Sequence, residues 1–283
     1  MRRILRTALL VLLALTALFP FGVMLLVSLQ TMPEVYSASL ALHAPQWGNY
    51  AAAMRSGRWG RYILNSLYVT LTATGISLLI NALTGYVFAR LRFPWKKTLF
   101  TLVLVGMMIP TQVTLVPLFV LVKSLPLLGG NDLLGRGGTG LVDTYAGLML
   151  PYIAGSFGVF LTRQFYSMFP RELDEAAKID GCSRFGAFVR VYLPLSGSIL
   201  ASLAVLKFIG AWNEYTWPLV MTNTGADRIT TVQLALTAFR NEGEIFWNQL
   251  MAATVVSTAV VLAVFVSLQR HFVAGILAGS VKE

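Results

Sequence analysis

The sequence predicts an all-α membrane protein with six transmembrane helices. Only 12% of its 283 residues are charged, 56% are hydrophobic, and the mean hydropathy is +0.70. A soluble domain carries about 25% charged residues, so this composition is typical of a chain that crosses a bilayer several times. The apolar residues are also gathered into six long segments, which polar connections separate.

Each of the six segments is long enough to cross a hydrocarbon core of about 30 Å, which takes roughly 20 helical residues. Lipid cannot satisfy backbone N–H and C=O groups, so the spans are expected to be helices. The first span resembles the start of a signal peptide, but it is too long for one, and we expect it to be retained. The predicted spans are 7–29, 67–89, 98–122, 144–162, 195–221 and 249–268.

The distribution of Lys and Arg predicts that both termini are cytoplasmic. With that orientation the inside segments hold about twice as many basic residues as the outside segments, as the positive-inside rule requires. The net charge of +10 would suggest a nucleic-acid partner in a soluble protein. Here we expect the basic residues to line the cytoplasmic leaflet of the membrane, and we expect no nucleic-acid partner.

The sequence offers no cofactor, metal or catalytic site. Its single cysteine, Cys182, permits no internal disulfide, and His43 and His271 lie in different predicted compartments. No GxxxxGK[ST], HExxH or GxSxG sequence is present. Residues 135–140 formally match GxGxxG, but they follow no strand, so we interpret them as a turn.

A polar segment, residues 169–194, separates the fourth and fifth spans and predicts two short helices. Gly181 can end the first helix in a left-handed conformation, and Ser183 can cap the second. The adjacent small residues Ala176 and Ala177 would let another protein approach the backbone closely. An amphipathic connector lying in the membrane interface is the alternative interpretation.

The spacing of this segment resembles the cytoplasmic signature of permease subunits of ABC importers. Glu175-Ala176-Ala177 is followed after three residues by Gly181, and after nine more by Val191-Tyr192-Leu193-Pro194. The one departure is Val191, where Ile is commonest in the family. The likeness extends over essentially the whole chain and is greatest to carbohydrate importers of the maltose and glycerol-phosphate type. Supporting stretches are Asn65–Leu67, Gly85–Arg90, Trp212–Glu214, Trp217–Pro218 and the tail 273–282.

The resemblance implies a single permease domain, residues 1–283, that carries a carbohydrate or polyol derivative into the cytoplasm and is not itself an enzyme. The implied partners are a second homologous permease, a dimer of ABC ATPase subunits, an extracytoplasmic solute-binding protein and the lipid of a bacterial inner membrane. A cytoplasmic coupling helix would sit in a cleft of the ATPase. The residues that the resemblance assigns to this coupling are Glu175, Ala176, Ala177, Gly181, Leu193 and Pro194.

Polar and aromatic residues within the predicted spans are candidates for the solute path. A charge in lipid costs at least about 2.5–3.5 kcal/mol, so Lys207 and Glu214 should face a cavity or a partner. Because seven residues separate them in the fifth span, we expect both on one side of a helix. Subunit assembly, an interfacial aromatic belt or helix packing are alternative roles. The candidates are Asn81, Lys207, Trp212, Asn213, Glu214 and Tyr215, with Gln112 and Thr114 as further possibilities.

Three other classes of protein were weighed against this interpretation. An ion-coupled secondary transporter would use Lys207 and Glu214 and would have no use for a docking segment. An intramembrane enzyme would need catalytic signatures that are missing from the sequence, and a scaffold gives no reason for polar residues in the spans. Maltose-like oligosaccharides, trehalose and glycerol 3-phosphate all stay open as solutes, and a homodimer is not excluded.

Overall fold

The computed structural model describes residues 2–38, 40–222, 228–240 and 243–280, and the regular elements in these ranges are helices. The side chains of residues 2, 268 and 270–280, including His271, lie outside the described part, as do residues 281–283 of the tail. The α-helices are α1 Arg2–Ser28, α2 Met32–Tyr36, α3 Gly48–Arg55, α4 Trp59–Arg90, α5 Lys96–Met108, α6 Thr111–Lys123, α7 Tyr145–Ile153, α8 Ser156–Ser167, α9 Glu172–Ile179, α10 Arg184–Ala187, α11 Leu193–Leu195, α12 Gly197–Trp212, α13 Thr216–Met221, α14 Val232–Ala235 and α15 Trp247–Ser280. A π-helical turn, Phe188–Tyr192, joins α10 to α11, and a 3-10 turn, Leu236–Phe239, follows α14.

The helices confirm an all-α membrane protein. Three of them, α1, α4 and α15, contain single segments long and apolar enough to cross a bilayer. Three further spans are bent pairs, with α5 and α6 at 108°, α7 and α8 at 42°, and Arg184–Leu195 with α12 at 77°. The count reaches six when each bent pair is one span, which agrees with the six predicted segments.

Proline and the residue before it cause the sharpest of these bends. Ile109 is extended (φ −81°, ψ 120°) because the residue before Pro110 avoids the helical region, so α5 ends there and α6 starts anew. The prediction of one helix over 195–221 is wrong in its second half, since α12 ends at Trp212. Glu214 therefore does not lie two helical turns beyond Lys207 on the same helix.

The contacts of the chain divide it into two compact units, residues 1–63 with 231–262 and residues 64–230 with 263–283. In the first unit Asn49 Nδ2 donates to the carbonyls of Ser28 and Gln30, at 3.0 and 2.9 Å. Asn248 Nδ2 donates to Asn49 Oδ1 at 3.2 Å. The prediction of one permease domain stays a prediction, because a compact unit of contacts need not fold or act alone.

A capping box fixes the start of α2 in the first unit. The Thr31 backbone N–H donates to the Glu34 carboxylate at 2.8 Å, and His43 Nδ1 lies 2.9 Å from its other oxygen. These hydrogen bonds, that of the Thr31 backbone above all, lower the pKa of Glu34 to about 2. Beyond this cap Leu40 and Trp47 are exposed, at 72% and 68%.

In the second unit α4 and α8 approach each other closely at small residues. A Cβ atom at Gly85 would lie 2.1 Å from Thr162 Oγ1 and 2.8 Å from the backbone nitrogen of Arg163. Thr162 Oγ1 also donates to the carbonyl of Asn81 at 2.8 Å. Glycine at position 85 is therefore required by close packing, and the two helices are joined by a buried hydrogen bond.

We expect Gly85→Ala to destabilise the protein by about 1–3 kcal/mol, because the added methyl group overpacks the contact with α8. Thermal unfolding in detergent micelles would measure the loss. Gly75→Ala on the same helix is the matched control, since a Cβ atom there meets nothing within 4 Å. Equal stability of the two variants would contradict the close approach.

Candidate functional site

The segment between α8 and α12 has the predicted helix–glycine–helix form. Helix α9 ends at Ile179, and Gly181 follows with φ +72°, a conformation that glycine adopts at little cost. Ser183 Oγ then accepts a hydrogen bond from the Gly186 N–H at 3.0 Å and caps α10. The predicted left-handed conformation of Gly181 and the predicted capping by Ser183 are both confirmed.

Three of the six residues assigned to coupling are exposed on α9 or just after it. Glu175, Ala176 and Gly181 are exposed. Two large apolar side chains lie exposed nearby, Ile179 at 86% and Phe185 at 64%. The chain itself buries the Ala177 side chain, which is only 4% exposed, so Ala176 is the small residue that faces outward. Leu193 is half-buried and Pro194 exposed where the chain turns into α12.

Helix α9 is anchored by three residues that we call the Arg90 node: Arg90, Asp174 and Tyr192. Arg90 Nε donates to Asp174 Oδ2 at 2.9 Å, and the Tyr192 hydroxyl donates to Asp174 Oδ1. The Arg90 guanidinium also donates to the carbonyls of Phe169 and Pro170, each at 2.9 Å. The Arg90 side chain is 7% exposed, so it is largely withdrawn from water. The node thus ties α9 to the end of α4.

A cluster of aromatic rings packs beside the node. The rings of Tyr86 and Tyr192 have centroids 4.9 Å apart, and Phe188 lies 5.4 Å from Tyr86. Ser196 Oγ donates to the Tyr166 hydroxyl at 2.7 Å. Sequence reasoning missed this arrangement, although a basic residue at the cytoplasmic end of a predicted span was a signal for Arg90.

We expect Asp174→Asn to loosen α9, because it removes the charge that Arg90 pairs with while keeping the size of the side chain. A loss of about 1–3 kcal/mol in local stability would follow from the unpaired guanidinium. Hydrogen exchange of the α9 amides would measure it as faster exchange. Glu172→Gln on the same helix is the control, since Glu172 is exposed. Unchanged exchange in Asp174→Asn would contradict the anchoring role.

A cavity of about 430 Å³ lies at three helix breaks, those between α5 and α6, between α7 and α8 and between α12 and α13, and we call it the break cavity. Residues from just after the α5–α6 break, from the α7–α8 break and from the gap between α12 and α13 all line it. Interrupted membrane helices typically mark binding sites in transporters, because their ends leave backbone groups free to face a cavity. Lining residues from the three breaks include Thr111, Gln112, Tyr152, Ala154, Glu214 and Thr216.

Two oxygen-bearing side chains give the break cavity its chemistry. Glu214 Oε1 accepts hydrogen bonds from the backbone N–H groups of Thr216 and Trp217, at 2.9 and 3.2 Å. The Tyr152 hydroxyl is buried, and no described residue hydrogen-bonds to it. A buried hydroxyl of this kind is expected to find a partner, which a bound molecule can supply. The sequence analysis missed Tyr152, although the neighbouring Pro151 and Gly155 were signals of a helix break.

Lys207 is held by the backbone at the α7–α8 break and is not among the residues that line the cavity. Its Nζ donates to the carbonyl of Tyr152 at 3.4 Å. The amine also fills the space at Gly155, where a Cβ atom would lie 2.4 Å from it. A cation at the end of a helix is favoured by the helix dipole.

The other path candidates lie apart from the break cavity. Asn81 is fully buried and donates to Ser77, and Trp212 is buried with its ring 5.7 Å from that of Phe208. Asn213 and Tyr215 are exposed. Of the six candidates the structure places only Glu214 at the cavity, together with the further possibilities Gln112 and Thr114. Among the residues whose side chains are described, no group of three His, Cys, Asp or Glu could hold a metal ion.

Comparison with known proteins gives a family match over most of the chain. Residues 81–277 match the family described as binding-protein-dependent transport system inner membrane component. An arabinooligosaccharides transport system permease protein of Halalkalibacterium halodurans is 33% identical over 80% of this chain and 76% of its own length. An sn-glycerol-3-phosphate transport system permease protein of Pectobacterium atrosepticum is 31% identical over 93% of this chain and 92% of its own.

Solved structures share the fold. A chain of a bacterial ABC transporter involved in the import of the acidic polysaccharide alginate matches with a TM-score of 0.78, at 21% identity and over 95% of both chains. A chain of a bacterial alginate ABC transporter in complex with an alginate pentasaccharide-bound periplasmic protein matches with a TM-score of 0.66, at 14% identity and over 94% of both chains.

Proposed function

This chain belongs to the family of binding-protein-dependent transport system inner membrane components, and from that premise we propose that it carries a carbohydrate or polyol derivative into a bacterial cytoplasm. It is a permease subunit of an ABC importer, and the ion-coupled alternative finds no support. The solute class rests on relatives named for arabinooligosaccharides and sn-glycerol 3-phosphate. The observation that supports a solute path is the position of Glu214 in the lining of the break cavity.

ATP would be hydrolysed on a dimer of partner subunits that dock on the segment around α9. The observation that carries this step is the open face of Glu175, Ala176 and Gly181 on a helix anchored to α4 through the Arg90 node. Ala177 is buried, so it supports that face from beneath, while Leu193 and Pro194 connect it to α12. Closure of the ATPase dimer would displace α9 as a rigid element and switch the path between its two sides.

Two further partners complete the proposed importer. A second, homologous permease would form the other half of the path, and an extracytoplasmic solute-binding protein would deliver the solute. A solved relative of the same fold is in complex with a periplasmic protein, which supports this kind of partner. Exposed Leu40 and Trp47 offer it apolar contact area. Both termini would then be cytoplasmic, as the basic residues predict.

Co-purification tests the assembly. The tagged subunit, extracted in mild detergent, is expected to bring down an ATPase and a second permease, which mass spectrometry would identify. The ATPase should be lost when Glu175 and Gly181 are both replaced. Recovery of this chain alone, together with uptake that follows an ion gradient, would contradict the proposal.

We expect Gly181→Leu to uncouple ATP hydrolysis from transport in proteoliposomes, lowering uptake by about tenfold while the subunit still inserts. A side chain at Gly181 meets nothing within 4 Å inside this chain, so it would project into the docking surface. The backbone strain of a positive φ is a separate effect of about 1–2 kcal/mol. Gly137→Leu is the matched control, because Gly137 also has a positive φ (+93°) and open space around it. Equal uptake by both variants would argue against docking at Gly181.

A further inference from the structure

We propose that the break cavity is a binding site for neutral, hydroxyl-rich solutes and that it disfavours phosphorylated and carboxylated ones. The inference deepens the proposed function and rests on it. The names of the relatives do not decide between neutral and phosphorylated solutes, because one relative is named for arabinooligosaccharides and another for sn-glycerol 3-phosphate. The proposed selectivity of the cavity decides between these two kinds of solute.

The position and size of the cavity suit a small solute. Its volume of about 430 Å³ lies within the range of roughly 300–1,000 Å³ that is usual for ligand sites. The breaks between α5 and α6, α7 and α8, and α12 and α13 contribute to its walls, so these walls contain places where the chain can bend. Such walls can bind a solute and also release it when the bends change.

The polar groups of the cavity match hydroxyl groups. Glu214 uses Oε1 for two backbone N–H groups, and no described residue hydrogen-bonds to its Oε2, which is free to accept from a hydroxyl. The Tyr152 hydroxyl is less than 1 Å² exposed and lacks a partner among the described residues, and it can both donate and accept once a change at the α7–α8 break uncovers it. Gln112 adds an amide with both functions. A solute with several hydroxyls can satisfy Glu214 and Gln112 directly, and Tyr152 once its hydroxyl is uncovered.

The remaining walls of the cavity are apolar. Leu115, Leu118 and Pro151 line it, and Trp217 presents its indole while its Nε1–H donates to the carbonyl of Gly147 at 3.0 Å. The one hydrogen-bond donor of the Trp217 side chain is therefore already used by the protein backbone, and the side chain presents an aromatic surface to the solute. Sugars have apolar CH faces ringed by hydroxyls, so a mixed lining of this kind suits them.

The acidic side chain in the cavity lining disfavours the binding of anions. Glu214 is an acidic group in the lining, and among the described residues no Lys or Arg lines the cavity. Lys207 is directed to the Tyr152 carbonyl and the space at Gly155 instead. A phosphate or carboxylate would meet the like charge of Glu214, and the described lining has no basic side chain to offset it.

Cysteine protection tests binding directly, because Cys182 is the single cysteine of the chain. In the reconstituted complex that carries Cys182→Ser, a second change, Thr111→Cys, places a thiol on the cavity wall. Arabinotriose, maltose and lactose at millimolar concentration, tested together, are expected to slow maleimide labelling at least threefold, and sn-glycerol 3-phosphate is expected not to slow it. Equal protection by the phosphate, or no protection by sugars that the complex transports, would overturn the proposal.

Uptake by variants tests the residues. Glu214→Gln and Tyr152→Phe are each expected to lower sugar uptake about tenfold. Glu214→Gln should also raise the ratio of sn-glycerol 3-phosphate to sugar uptake, a change that mere loss of stability would not produce. Tyr68→Phe is the control, since Tyr68 is 54% exposed and lies outside the cavity. An unchanged ratio in Glu214→Gln and normal uptake in Tyr152→Phe would reject the inference.

Different outcomes would overturn the proposed solute class and the selectivity of the cavity. If the complex with the natural chain moves none of these solutes, the proposed solute class is wrong. If it moves sn-glycerol 3-phosphate in preference to the sugars, the permease function stands and the selectivity assigned to the cavity is wrong.

Discussion

The ion pair between Arg90 and Asp174 is the interaction on which the position of α9 depends. One carboxylate accepts from Arg90 at the end of α4 and from Tyr192 in the π-helical turn, so three segments meet at Asp174. Arg90 is 7% exposed and Asp174 is 38% exposed, so removing the Asp174 carboxylate leaves a largely buried guanidinium without its partner, at a cost of about 1–3 kcal/mol. Because Arg90 also binds the carbonyls of Phe169 and Pro170, the whole start of the α9 segment is held by a single side chain.

A second constraint comes from the lipid, which cannot form hydrogen bonds with backbone N–H and C=O groups, so each unsatisfied group costs free energy. Three spans are interrupted, and charged side chains serve the ends that the interruptions expose. Lys207 donates to the carbonyl of Tyr152, and Glu214 accepts from the N–H groups of Thr216 and Trp217. Lys207 and Glu214 are therefore used for different purposes, one for a carbonyl and one beside a cavity, although the sequence predicted both on one side of a single helix.

The sequence was sufficient for the six apolar segments and for the helix–glycine–helix segment, because hydropathy, capping residues and Gly181 act locally. Hydropathy could not supply the bends, since it is the same in a straight and a broken span, and only local signals such as Pro110 and Pro151 pointed to two of them. The Arg90–Asp174 contact joins residues that are 84 positions apart, and no local pattern predicts such a pair. Asn81 and Trp212 looked like path residues by type, but packing buries both. Tyr152 was missed because tyrosine is common in membrane helices, and only the fold shows that its hydroxyl has no partner among the described residues.

The length of α4 has a mechanical consequence. It is one helix of 32 residues, about 48 Å long, and its last residue, Arg90, is fixed by its hydrogen bonds to Asp174. A rigid rod held at one end works as a lever arm. Within the second unit α4 runs from Leu64 to Arg90, about 40 Å, and a tilt of about 5° around Arg90 would carry Leu64 through roughly 3.5 Å. A small rotation at the Arg90 node would thus become a displacement about as wide as a side chain at the other end of this part of the helix.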